Sequence, residues 1–182
     1  SRLVGADPML GVEMLSTGEV GCLGRDLHEA LQHGLLAVGM KFPCKGVLLS
    51  LGPVADKYWF ADEARIIAQE LHLPIYATRG TAEILVEIGI PCTAVEKSSG
   101  TGMSGLDVIE QSLVDLVINI PREYDQYGRP DGYLIRRQAI DLGVPLITDL
   151  PLARAIVEAL RWRKPGSLDV LALNDYVARG SP

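Results

Sequence analysis

Asp115-Leu116-Val117-Ile118-Asn119-Ile120 is the stretch that decides the architecture. Three large apolar residues stand in a row there, and a fourth comes after Asn119. A strand with one wet face alternates apolar and polar residues; this one is apolar on both faces. It therefore belongs in a sheet that is covered by helices on either side. Elsewhere in the chain, Gly46-Val47-Leu48-Leu49-Ser50-Leu51, Pro74-Ile75-Tyr76-Ala77, Cys92 to Val95 and Val144-Pro145-Leu146-Ile147 read as further short strands. Helical spacing fills the gaps. Asp56 to Leu71 carries Phe60, Ala64, Ile67 and Leu71 at helical intervals, Thr81 to Ile88 stops at Gly89, and Tyr133 to Leu142 stops at Gly143. Val108 to Leu113 and Pro151 to Arg161 read as two more helices. Strands and helices in alternation predict a parallel, open, flavodoxin-like α/β three-layer sandwich with a five-stranded, mainly parallel sheet. The strand pattern leaves the strand order open.

The first 43 residues differ. Gly5 to Val20 holds turn formers without a helical period, Arg25 to Val38 reads as a helix, and Pro43 closes the connection. This piece has too few large apolar residues to fold alone, so it must lean on the α/β unit or on something beyond the chain. With 182 residues the chain has room for one well-packed domain and an extension. Hydrophobic residues make up 48% but aromatics only 5%, so Leu, Ile, Val and Ala must build the core. A net charge of −6 argues against a nucleic-acid surface, which needs a basic face. The three cysteines, Cys22, Cys44 and Cys92, are odd in number and far apart, and the three histidines are scattered. Neither a disulfide framework nor a metal site is expected, and a reducing compartment is. No apolar run approaches the roughly 18 residues a membrane span requires. The chain begins at Ser1 rather than Met, which reads as an excised or processed piece. The cytoplasm is the expected location, with mitochondria left open.

In open parallel sheets ligands bind outside the carboxyl ends of the strands. The residues just past each strand are therefore the candidates. Ser50 and Lys57 come after the first strand, and Thr78-Arg79-Gly80-Thr81 after the second. Lys97-Ser98-Ser99-Gly100-Thr101-Gly102 comes after the third, and Asn119 and Arg122 after the fourth. Hydroxyls, amides and cations with few carboxylates compose an anion site for phosphate or carboxylate. Thr78–Thr81 opens a helix, where unpaired N–H groups and the positive end of the dipole await an anion and Gly80 admits it to the backbone. The plainer alternative is that Thr78 or Thr81 only caps that helix. Lys57 alone would be an ordinary solvated lysine, and Asn119 could serve a neighbouring loop. The Ser98–Gly105 loop lacks GxxxxGK[ST], so it is no nucleotide-hydrolysing P-loop. Of Arg136 and Arg137, one is expected to be a structural ion-pair partner.

Some of these residues also carry a resemblance. Gly5-Ala6-Asp7-Pro8-Met9-Leu10-Gly11-Val12-Glu13-Met14 with Ser16-Thr17-Gly18-Glu19-Val20 resembles the end of the second ATP-grasp unit of carbamoyl-phosphate synthase large subunits. Ala77-Thr78-Arg79-Gly80-Thr81-Ala82 resembles the "ATxGTA" motif of their C-terminal regulatory domain, which has a methylglyoxal-synthase-like fold. Val117-Ile118-Asn119 and Leu134-Ile135-Arg136-Arg137 are similar to two further motifs, and the likeness runs along essentially the whole chain. It implies three parts: residues 1–24 as an ATP-grasp tail, 25–43 as a connecting helix, and 44–182 as the regulatory domain. It also implies an allosteric role, with Ser50, Lys57, Thr78, Arg79, Gly80, Thr81, Lys97 and Asn119 touching the effector. No cofactor is implied for this piece. The parent enzyme would take ATP with Mg or Mn, bicarbonate and glutamine-derived ammonia, for pyrimidine and arginine biosynthesis. Its implied partners are the rest of the large subunit, a glutaminase subunit or domain, and a possible second copy.

The departures from the family pattern bear on the effector. In the animal urea-cycle enzyme, whose effector is N-acetylglutamate, the Lys97 position resembles an aromatic and more asparagines come after Asn119. Lys97, and Ile120-Pro121-Arg122 after Asn119, suit a phosphorylated nucleotide such as UMP or IMP, or a sugar phosphate. The insertion Glu123–Asp131, with Tyr124 and Tyr127, matches no effector pattern. One rival is a methylglyoxal synthase, which needs a carboxylate base near the phosphate; Asp107 is displaced from that place and the fourth strand ends in Asn119. The other is an oligomerisation or docking module with a vestigial pocket.

Overall fold

A computed structural model describes residues 20–96, 98, 100–121, 131–162 and 171–180. The ATP-grasp-like string up to Glu19, Lys97, Arg122 and all but the last residue of the 123–131 insertion therefore lie outside the described residues. Five strands form one all-parallel sheet: β1 (Val47–Leu51), β2 (Ile75–Thr78), β3 (Thr93–Val95), β4 (Leu116–Ile120) and β5 (Leu146–Ile147). Their order is β3-β2-β1-β4-β5. Flavodoxin's order would be 2-1-3-4-5; here the chain winds outward from β1 through β2 and β3, then returns to lay β4 on β1's other side. The point where winding reverses lies between β1 and β4.

Strand alternation sorts the core into two clusters. Val47, Leu49, Leu51, Ile75, Ala77, Leu116, Ile118 and Ile120 face one side, where Phe60, Ala64, Ile67, Leu85 and Ile156 pack on them. These come from the junction of α2 (Val54–Trp59) with α3 (Ala61–Arg65), from α3 and its continuation, and from α4 (Arg79–Glu87) and α7 (Leu150–Trp162). Leu48 and Val117 face the other side, against Val108 and Ile109 of α5 (Gly105–Glu110) and Ile135 and Ala139 of α6 (Asp131–Asp141). That is the expected three-layer sandwich, with β4 buried along its whole length. Each fully buried Leu or Ile is worth about 1.5–3 kcal/mol relative to exposure. The N-terminal helix α1 (Leu27–Ala37) is capped by Asp26, which accepts from the Glu29 N–H at 2.8 Å, and packs along α7. There Gln32 Nε2 donates to the Ala159 carbonyl at 2.6 Å. The last helix, α8 (Leu173–Gly180), has no counterpart among the elements expected from the sequence.

One expected helix is three pieces. Asp56–Leu71 breaks at Phe60 and ends in a π-helical segment, Ile66–Glu70. The wider turn keeps adjacent Ile66 and Ile67 both buried, at 5% and 1% exposure. Gly89 and Gly143 end α4 and α6 at φ +76° and +67°, a region glycine enters without a steric penalty. At the opposite, N-terminal edge of the sheet, Asp115 gathers the backbone N–H groups of Cys44, Lys45 and Gly46 at 2.8–3.3 Å. This ties the entry to β1 to the start of β4.

Candidate functional site

Register puts the candidates in a row. Ser50 pairs with Asn119, Thr78 pairs with Val95, and one step beyond Leu49↔Ala77 lies Ser50 beside Thr78. The residue two positions earlier on each strand, Leu48, Tyr76 or Val117, belongs to the α5–α6 cluster. By strand alternation Ser50, Thr78 and Asn119 thus turn to that same side, as the last layer above a greasy floor. They span β2, β1 and β4, and so straddle the reversal point where open α/β sheets form their ligand crevice.

The first turn of α4 forms one wall. Thr78 is its N-cap residue, yet its side chain makes no capping bond, and the first turn has no acid. The N-terminal N–H groups thus have no side-chain acceptor of the usual kind. Thr78 Oγ1 lies 3.3 Å from Thr81 Oγ1. Thr81 is 1% exposed; its hydroxyl accepts from the Leu51 N–H at 3.1 Å and faces the Leu51 carbonyl at 3.3 Å. It is a latch between α4 and the end of β1, and its side chain has little left for a ligand.

Lys57 is not the solvated lysine its sequence position suggests. It is 3% exposed, and its ammonium donates to the Gly80 carbonyl at 2.7 Å. A Cβ added at Gly80 would stand 3.2 Å from Lys57 Nζ, so a side chain there would crowd the ammonium. This places a buried cation beside the positive end of the α4 dipole. Arg79 does not join it: the guanidinium is exposed and pairs with Glu83 at 3.2 Å along the helix. Only its backbone belongs to the site.

At the other end, Asn119 is 1% exposed and its Oδ1 accepts from Arg136 Nη1 at 2.6 Å. It serves no loop backbone among the described residues, and its Nδ2 has no hydrogen-bond partner there. Arg136 is thus a site-edge residue that sequence reasoning did not select. Arg137 is the structural half of the pair, bonded to Asp141 at 2.8 Å. Asp107, the acid that the sequence places nearest the role of a base, is instead a helix cap. The Ser104 backbone N–H and hydroxyl bond its carboxylate at 2.8 and 2.7 Å and hold it below the usual carboxylate range. That makes it a poor proton acceptor.

Away from this edge, a groove of about 350 Å³ runs between α1, α2 and α7 past Leu27, His28 and Trp59. Arg154 lies over the Trp59 ring at 5.1 Å and pairs with Glu63 at 2.7 Å. It lacks the convergent donors of the strand ends. No helix among the described residues is long and apolar enough to cross a membrane.

A family model, the MGS-like domain, matches residues 64–148. The multifunctional protein pyr1-3 of Dictyostelium discoideum is 40% identical over 171 residues, covering 90% of this chain and 8% of its own length. The carbamoyl phosphate synthase large chain, C-terminal section, of Methanocaldococcus jannaschii is 38% identical over 179 residues, covering 98% of this chain and 28% of its own. Its counterpart in Methanopyrus kandleri is 39% identical over 171 residues, covering 94% and 31%. The chain thus spans less than a third of the length of these relatives.

Proposed function

The chain belongs with the MGS-like domains of carbamoyl-phosphate synthase large chains, and from that premise we propose that it binds a small anionic effector at the carboxyl end of its sheet. The effector is a phosphorylated nucleotide or a similar phosphate. Its phosphate sits on the first turn of α4, receives backbone N–H groups and the Thr78 hydroxyl, and lies beside Lys57. Ser50 and Asn119 meet the remainder, and Lys97 adds a second cation from the loop after β3. The observation that carries this reading is the buried Lys57 ammonium, held 2.7 Å from Gly80 O at a helix N-terminus with neither a side-chain cap nor an acid.

The whole protein, on this reading, makes carbamoyl phosphate from ATP, bicarbonate and glutamine-derived ammonia. That chemistry resides in ATP-grasp units outside this chain. The domain regulates it by holding its effector more tightly in one conformation of the full enzyme, since only a difference in affinity shifts an equilibrium. Phosphate elimination by this domain itself is disfavoured by the geometry of Asp107, whose carboxylate is spent on the α5 cap.

A thermal-shift series with UMP, IMP, ornithine, N-acetylglutamate and dihydroxyacetone phosphate tests the proposal. A ligand at 100 times its Kd stabilises by about 2.7 kcal/mol. We expect a nucleotide to stabilise the chain, and the shift to vanish in Thr78→Ala and Lys57→Met. Absence of any shift would instead favour a docking module with an unused pocket.

A further inference from the structure

We propose that Asn119 and Arg136 form a second anion subsite at the end of β4, so that the effector carries two separated anionic groups. The inference rests on the effector reading above and names the class of ligand. It starts from a buried amide. Because a guanidinium has only donors, the Asn119 atom 2.6 Å from Arg136 Nη1 must be the oxygen, which fixes the flip of the amide. Nδ2 then points the other way with two N–H donors, on a residue 1% exposed and without an acceptor among the described residues. An unsatisfied buried amide of this kind is rare in a folded protein and marks a place where something else is meant to bind.

Arg136 supplies the charge. It is half-buried, and no carboxylate among the described residues forms an ion pair with it, whereas Arg25, Arg65, Arg79, Arg137, Arg154 and Arg161 all have one. Its side chain runs back toward the start of α6, where a Cβ added at Gly132 would meet Arg136 Nη1 and Asn119 Nδ2 at 3.4 Å each. A cation there opposes the dipole of its own helix, as Lys57 opposes that of α4. Glycine at 132 sets no side chain of its own against the two donors.

The two subsites are separate. Thr78 ends β2 and Asn119 lies near the end of β4, with β1 and Ser50 between them, so two strand spacings, about 10 Å, divide them. At that backbone separation the two ends suit two anionic groups better than a single one. A phosphate on α4 and a second phosphate or carboxylate at Asn119–Arg136, joined by a sugar-sized spacer past Ser50, satisfies both ends.

The test is isothermal titration of the 182-residue chain with ribulose 5-phosphate and ribulose 1,5-bisphosphate, which differ by one phosphate. We expect the bisphosphate to bind at least tenfold more tightly. That advantage should disappear in Arg136→Gln, with monophosphate affinity unchanged within twofold, and return in part in Arg136→Lys. Lys57→Met should weaken both sugars. Equal binding of the two by the wild-type chain overturns the second subsite while leaving the first intact, and needs no variant to fold. So does a bisphosphate advantage that survives Arg136→Gln. If neither sugar binds, and no nucleotide does either, the effector reading falls along with the subsite.

Discussion

Thr81 and Asp115 show how much of each sheet edge is held by single side chains. The Thr81 hydroxyl is the acceptor for the Leu51 N–H at the end of β1, in a place that water does not reach. Thr81→Val keeps the shape and removes that acceptor, leaving a buried donor unmet. It should destabilise the chain by about 1–3 kcal/mol in urea unfolding, while Thr81→Ser should recover most of the loss. Loss of ligand binding in Thr81→Ala would therefore report on folding as much as on contact, and Thr78 is the cleaner probe. Asp115 works at the opposite edge. Burial pushes its carboxyl up, but the N–H groups of Cys44, Lys45 and Gly46 and the Cys44 thiol outweigh this and hold it below the ordinary range. The same carboxylate pushes the Cys44 thiol up. With the folded pKa depressed, Asp115 contributes its full stability above the unfolded value of about 3.9 and loses it as pH falls through the folded one. Urea midpoints should fall as the pH is lowered from about 5 to about 2, and Asp115→Asn should flatten that fall while lowering stability at neutral pH.

Among elements, the strands and the helix ends were legible because each rests on a local cause. Runs apolar on both faces mark buried strands wherever they occur, and Gly89 and Gly143 mark helix ends because their φ values suit no other residue well. Gly89→Ala should cost about 1–2 kcal/mol in thermal unfolding, against the gain alanine gives inside a helix. The broken 54–70 region was not legible, because the π segment answers to what Ile66 and Ile67 meet across the core rather than to their spacing. Ser50, Thr78 and Asn119 could be read from strand ends alone, since parallel register aligns them. Arg136 could not. Adjacent arginines sit about 100° apart on a helix, and only the packing of Ile135 and Ala139 against β4 decides which of the pair faces the sheet. For the same reason the outward turn of the Arg79 side chain, paired with Glu83, is not legible from its neighbours in sequence. Truncating Ile156 to Ala in α7, fully buried against the sheet, should cost about 2–5 kcal/mol by urea unfolding.

For the whole molecule, the candidate ligand donors and the Asp115 clamp fall on opposite rims of the sheet. Asp115 clamps the rim where strands begin; the helix-end donors of α4 gather with Lys57, Asn119 and Arg136 where strands end. Effector binding should therefore slow amide hydrogen exchange at Thr78–Thr81 and Leu51–Gly52 by about tenfold or more, and leave Lys45–Val47 unchanged; a uniform slowing would indicate general stabilisation instead. The two outermost strands, β3 and β5, are also the shortest, with three and two residues. Exposed strand borders invite foreign strands to pair, and long ones seed aggregation. Here the borders are too brief to template such growth. A unit of this kind can be attached to chains of very different length without gluing them together, a portability that suits a module whose relatives give it anything from 7% to 31% of their length.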